Sequence, residues 1–121
     1  MKIIFFYGPE NTGKSMVARA IGDNLVGKDK TVYLSGWLLK GKMPPFFFNA
    51  CDENTELIII DDCDPKMNFD FLHESIKNGY LTVNRKNRQL FNLYNVSIIL
   101  TTNIEFQQRD ECFEYVKFPI H

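Results

Sequence analysis

Residues Gly8, Pro9, Glu10, Asn11, Thr12, Gly13, Lys14 and Ser15 carry the spacing Gly-x4-Gly-Lys-Ser, and their chemistry is that of a cradle for a polyphosphate. Gly8 and Gly13 allow backbone conformations closed to other residues, so that successive N–H groups can turn toward phosphate oxygens. Lys14 would neutralise the β- and γ-phosphates, and Ser15 would hold Mg²⁺. The start of a following helix adds partial positive charge, which brings Met16 into the set of nucleotide-binding candidates. A second chemical station is "LIIIDD", where Asp61 and Asp62 close an apolar run. Asp61 suits a carboxylate holding Mg²⁺ through water, and Asp62 could take a proton from an attacking water. The third is "IILTTN", whose Asn103 would offer a neutral donor to the γ-phosphate and the water. The catalytic candidates from these stations are Lys14, Asp62 and Asn103; the metal candidates are Ser15 and Asp61.

A different chemistry occupies the stretch between the second and third stations. No acid occurs from Ser75 through Ile104, whereas Lys77, Arg85, Lys86 and Arg88 supply four positive charges. The segment Cys51 to Asp70 holds seven acids. Charge is therefore segregated into an acidic end suited to Mg²⁺ and a basic projection suited to phosphate backbones, with Tyr80 or Phe91 available to stack on bases.

The elements that must position these groups follow from apolar patterning. Lys2 to Tyr7 reads as a strand buried on both faces, and beyond Ser15 the residues Val17, Ala20, Ile21 and Leu25 recur at helical spacing up to Gly27. "TVYLS" at Thr31 to Ser35 is a short strand, and Pro44 with Pro45 breaks regularity before an aromatic run that anchors a short helix or loop. Leu57 to Ile60 is a strand that delivers Asp61 and Asp62 at its carboxyl end, where open α/β sheets place their ligands. "FDFLHESIKNG" predicts a helix with Phe69, Leu72 and Ile76 on one face and a stop at Gly79. "YLTVNRKNRQLFNLY" reads as two extended arms around a polar turn, "VSIILTTN" as another buried strand, and "EYVKFPI" as a last short one. Apolar strands alternating with helices predict an α/β parallel sheet formed by residues 1–121 as one domain.

Composition narrows the function classes. With 45% hydrophobic and 14% aromatic residues the chain is a folded globule, which excludes disorder. A net charge of -1 excludes nucleic-acid binding by bulk electrostatics, so any such binding must come from a local patch. Cys51, Cys63 and Cys112 lack metal-ligand spacing and read as thiols in a reducing compartment. The N-terminal apolar run is too short for a signal peptide, and no segment approaches membrane-spanning length. A cytoplasmic protein with no membrane partner is expected.

Taken together, "GPENTGKS", "LIIIDD" and "IILTTN", with the basic hairpin between the last two, resemble the A, B, B′ and C motifs of superfamily 3 helicases, the AAA+ replication ATPases of viruses, phages and plasmids. The resemblance covers roughly Ile3 to Phe118 in the family's motif order. It implies a P-loop NTPase three-layer sandwich with a mainly parallel five-stranded sheet ordered 5-1-4-3-2 and a β-hairpin inserted before the fourth core strand. It also implies Mg-dependent ATP hydrolysis at a subunit interface, a hexameric ring, other replication proteins as partners, and action on single-stranded DNA or RNA. An arginine from the segment after the Asn strand would reach a neighbour's γ-phosphate; Arg109 is the arginine available there. Departures are expected too. The first strand begins at Met1, which leaves no room for a helical collar, and the sequence ends just past "VKFPIH", which leaves none for a C-terminal lid. Two other classes share the first motif. A nucleotide-binding sensor or adaptor would bind ATP with little turnover. A small nucleotide kinase should carry an arginine-rich lid, and Arg19, Arg85, Arg88 and Arg109 form no such pattern.

Overall fold

β1 (Lys2–Tyr7) is an Ile- and Phe-rich strand, and it recruits a neighbour on each side. In the computed structural model, which describes residues 1–39, 41, 43–64 and 67–120, it is followed by the glycine loop, α1 (Lys14–Ala20), β2 (Thr31–Ser35), β3 (Leu57–Asp61) and α2 (Asp70–Asn78). Then come β4 (Leu81–Val83), β5 (Phe91–Leu93), β6 (Ser97–Thr102) and β7 (Glu114–Lys117). Five strands form one sheet in the order β2-β3-β6-β1-β7, with every pairing parallel. β4 and β5 pair antiparallel as a separate two-stranded sheet.

Alternation along the strands divides the core into two layers. Ile3, Phe5, Ile58, Ile60, Ile98 and Leu100 face one side, where they meet Leu72 of α2 and Leu81, Val83 and Leu93 of the hairpin. Phe6, Leu57, Ile59 and Ile99 face the other, against Ala18 of α1 and Phe118. Both faces of the sheet are thus covered, which is why its central strands tolerate no polar interruption until their carboxyl ends. The hairpin contributes buried side chains to the first layer, so it is fastened to the body along one face. Among the described residues, no helix is long and apolar enough to cross a membrane.

One local expectation needs correction. Of the apolar stripe Val17, Ala20, Ile21 and Leu25, Val17 and Ile21 pack inward together with Ala18, Gly22 and Val26, whereas Ala20 is exposed and Leu25 is 80% exposed. Residues Ile21–Val26 wind as a π-helix, and this wider turn rotates the later side chains away from the stripe drawn at α-helical spacing. Of the short helix or loop expected after Pro45, the aromatic run forms the loop, a series of turns with Phe47 and Phe48 buried and Phe46 at a positive φ of 60°.

The end of β7 also shapes the glycine loop. Phe118 N–H donates to the Tyr7 carbonyl at 2.8 Å, and a Cβ on Gly8 would lie 2.2 Å from the Phe118 carbonyl oxygen, at a φ of +136°. Gly13 has a positive φ of 91°, but a Cβ there would meet nothing within 4 Å. Gly8→Ala should therefore cost about 3 kcal/mol of stability and Gly13→Ala about 1 kcal/mol. Urea unfolding of the two variants checks this, and equal losses would show that the Phe118 contact is not the constraint.

Candidate functional site

The loop that follows β1 curls through positive φ at Asn11 and Gly13, and Lys14 opens α1. Its side chain does not extend into solvent. The Nζ donates to the carbonyls of Gly8 (3.0 Å) and Pro9 and to Thr12 Oγ1 (3.2 Å), filling the three donor positions of an ammonium. Thr12 Oγ1 in turn donates to the Pro9 carbonyl at 2.8 Å. Lys14 is only 6% exposed, with its head group turned back onto the carbonyls of its own loop. Burial lowers the Lys14 pKa, and the nearby carboxylates of Asp62, Glu10 and Asp61 pull it back up.

Asp61 ends β3 beneath this loop. Its Oδ1 accepts from Ser15 Oγ at 2.6 Å and from Thr101 Oγ1 at 2.5 Å. Thr101 also accepts the Asp62 N–H at 2.9 Å through the same hydroxyl oxygen, and its carbonyl accepts from Cys63 N at 2.8 Å. The parallel register Ile60↔Leu100 places these two strand ends side by side. Asp62 takes a positive φ of 56°, which turns the chain sharply after Asp61 and leaves Asp62 exposed. Glu10 to Met16, Asp62 and Asn103 line one cleft of about 560 Å³. The structure therefore brings together the loop, the second acid and the asparagine, with Ser15 bonded to the first acid.

Ser15 Oγ and Asp61 Oδ1 are hard oxygen donors at one spot, which fits a small divalent cation that retains waters and is held by one carboxylate. Among the described residues, no group of three or more His, Cys, Asp or Glu is placed to hold a metal, so such an ion would take its other ligands from phosphate and water. Burial and the carboxylates beside them push the Cys51 and Cys63 thiols up to about 12, which leaves neither as a thiolate for metal or nucleophile chemistry.

Arg109 lies apart from this cleft. Its guanidinium donates to the Tyr7 hydroxyl and sits 5.6 Å from the ring centroids of both Tyr7 and Tyr115. It engages its own chain, and its neighbour Asp110 pairs with His73 Nε2 at 2.5 Å. Lys77, in the last turn of α2, and Lys86 and Arg88, in the hairpin turn, are exposed. Arg85 is not a free tip charge: it stacks on Phe91 with 4.7 Å from carbon to ring centroid, and its Nη2 meets Glu53 Oε1 at 3.3 Å. The hairpin's attachment to the core draws this arginine inward and removes Phe91 as a stacking surface for bases. Tyr80 instead neighbours Tyr94, 60% exposed, at 5.3 Å between rings. Thr101, Tyr7 and Tyr94 are participants that motif reading passes over. Thr101 had a signal, since it ends a buried strand next to a motif asparagine.

No family model matches the chain, and no curated protein matches it. Among solved structures 49 chains match. One is described as the A-form apo structure of the NrS-1 C-terminal region, with a TM-score of 0.57 and 15% identity over 96% of this chain. The similarity is one of fold, and this chain spans only 28% of that one.

The His73–Asp110 pair ties α2 to the segment that carries Arg109, and its titration gives a measurable signature. The hydrogen bond that His73 donates to Asp110 raises the His73 pKa above its ordinary 6.5, and the same bond lowers that of Asp110 below its ordinary 3.8. The folded chain thus holds the imidazole proton more tightly than the unfolded chain does. The pair's contribution is full below about pH 6.5 and is lost as pH rises through the raised value; on the acid side it is lost only as pH falls through the lowered Asp110 value. The stability difference between wild type and His73→Gln should be larger at about pH 5.5 than at about pH 9. Urea denaturation at the two pH values tests this, and a difference independent of pH would discount the pair.

Proposed function

We propose that this chain binds Mg-ATP on the loop Gly8 to Ser15 and hydrolyses it, as a minimal ATPase of the superfamily 3 helicase type working on single-stranded nucleic acid. The observation that carries the reading is the Asp61 carboxylate oxygen shared by Ser15 and Thr101, directly below a cleft that also collects Lys14, Asp62 and Asn103. Strand order supports it as well. The hairpin strands shift the labels, but the five parallel strands numbered by themselves in chain order run 5-1-4-3-2 from β7, the order that the resemblance implies.

In this reading Lys14 exchanges the carbonyls of Gly8 and Pro9 for the β- and γ-phosphate oxygens. Ser15 and Asp61 would hold Mg²⁺, which when bound draws off the negative charge that develops on the phosphates. The Asn103 amide orients a water against the γ-phosphorus. As the water oxygen bonds to phosphorus and the bond to the ADP oxygen breaks, Asp62 takes the water's proton. The exposed side chains of Lys77, Lys86 and Arg88, together with the exposed Tyr94, would form the surface for a single strand. Assembly into a ring would align several such surfaces and strengthen an otherwise weak contact. One observation favours a second reading, a nucleotide sensor with little turnover. Arg109, which the resemblance assigns to a neighbour's γ-phosphate, is held by Tyr7 and Tyr115 of its own chain.

Lys14→Ala should lose ATP affinity by at least about a hundredfold, and Asp62→Asn should keep Mg-ATP while losing about 10² to 10⁴ in turnover. Calorimetry and phosphate release measure these, with wild-type turnover followed against protein concentration and single-stranded DNA. Normal hydrolysis by Asp62→Asn would end the catalytic assignment. ATP binding with negligible wild-type turnover under every condition would select the sensor. Replacing Lys86 and Arg88 together by Ala should leave ATP binding unchanged and flatten the salt dependence of single-strand binding by about 1.4, roughly 0.7 per lost phosphate contact. Anisotropy across a salt series reads that slope, and an unchanged slope would remove the hairpin from the nucleic-acid surface.

A further inference from the structure

The turn after β2 is pressed against the end of β3. A Cβ on Gly36 would lie 2.6 Å from Cys63 Cα and 2.8 Å from both the Asp61 carbonyl oxygen and the Cys63 nitrogen, so this approach admits glycine alone. Gly36 thereby seats Trp37 beside the strand end that carries the acids. Trp37, 65% exposed, lines a second cleft of about 440 Å³ with Glu10, Asp62, Asp64, Asn103 and Ile104. Glu10, Asp62 and Asn103 belong to both clefts, so the second adjoins the place where the glycine loop would hold a terminal phosphate.

The lining selects its ligand. An indole and Ile104 offer apolar surface to a planar ring, and base stacking on an aromatic side chain is tolerant of sequence because every base has a π-face. The carboxylates of Glu10 and Asp62 disfavour a phosphate but accept hydrogen bonds from N–H groups, and the Asn103 amide can both donate and accept. A neutral, planar heterocycle with amino donors satisfies all of these at once. We propose that this cleft binds an unpaired nucleobase bearing an exocyclic amino group, stacked on Trp37 with that amino group donated to a carboxylate of the cleft. The base can come from a free nucleoside or from an unpaired nucleotide in a strand.

Nucleobase binding here does not depend on ATP binding or hydrolysis, and it can be read without either. Trp37 is the one tryptophan of the chain, so intrinsic fluorescence of the whole protein reports on this cleft. The wild-type protein, with no triphosphate present, is titrated with cytidine, adenosine, thymidine, a short oligo-dC and N-ethylguanidinium. Saturable quenching is expected with cytidine and adenosine, and binding at least about fivefold weaker with thymidine, which lacks the amino group. By calorimetry, Trp37→Leu should weaken cytidine about tenfold while Trp37→Phe, which keeps an aromatic face, stays within about threefold. Since Trp37 is exposed, both variants should fold, which the unfolding midpoint verifies. Oligo-dC binding at least as tightly as cytidine assigns the base to a strand, and weaker binding assigns it to a free nucleoside; either supports the nucleobase. Unsaturable quenching by all nucleosides, equal affinity for thymidine, or tighter binding of N-ethylguanidinium would overturn the proposal, the last making the cleft a cation site.

Discussion

One oxygen atom, Oδ1 of Asp61, accepts hydroxyl hydrogens from Ser15 at the start of α1 and from Thr101 at the end of β6. Three segments distant in sequence meet at this atom, and each reaches it through a different structural constraint. Ser15 arrives because Gly8 is pinned under the Phe118 carbonyl and the loop then curls back to open α1. Thr101 arrives because β3 and β6 pair in parallel with Ile60 opposite Leu100; a one-residue slip would turn its hydroxyl to the opposite face. Short bonds from hydroxyls to a carboxylate are among the stronger hydrogen bonds in proteins. They also fix the carboxylate's orientation, so that Asp62, at its unusual backbone angle, is presented to the cleft and not to the core.

Charge is organised around that point with little waste. Lys14 sits close enough to Asp62, Glu10 and Asp61 for all three to favour its protonated form, while burial opposes them. Its loop carbonyls supply hydrogen-bond acceptors that a phosphate could replace. Away from this acidic end, the basic hairpin is not a loose arm: Arg85 is clamped between Phe91 and Glu53, and the Lys86 N–H donates to Asn49 Oδ1 at 2.9 Å. The cationic side chains left outward, Lys86 and Arg88, are therefore displayed from a braced turn.

The fold was legible where a residue's own pattern decides its place. Thr31–Ser35 is a strand over the very residues that its β-branched and aromatic run indicates, α2 stops at Gly79, and the apolar run before Asp61 is buried throughout. The glycine loop, Asp62 and Asn103 converge because strands of one parallel sheet deliver their carboxyl ends to one edge, a consequence of topology that motif order already encodes. What stayed hidden depends on distant partners. Nothing local in "NRKN" says that Arg85 will find Glu53 and Phe91, nothing in the helical stripe says that Ile21–Val26 will widen and expose Leu25, and the role of Thr101 exists only once β6 lies against β3.

The contact between Phe118 and Gly8 joins residues at opposite ends of the described chain, and it has a consequence for how the protein is made. Residues 8–15 leave the ribosome before β6 and β7 do, yet β1 gains its two neighbours only when those strands have been synthesised. Translation is vectorial, so the earliest segment of the site is shaped by the latest strand. Nascent chains that stop short of β7 carry the whole glycine motif without the carbonyl that pins its first residue. They would emerge with a loose loop, which would take its folded shape only once synthesis has passed Phe118.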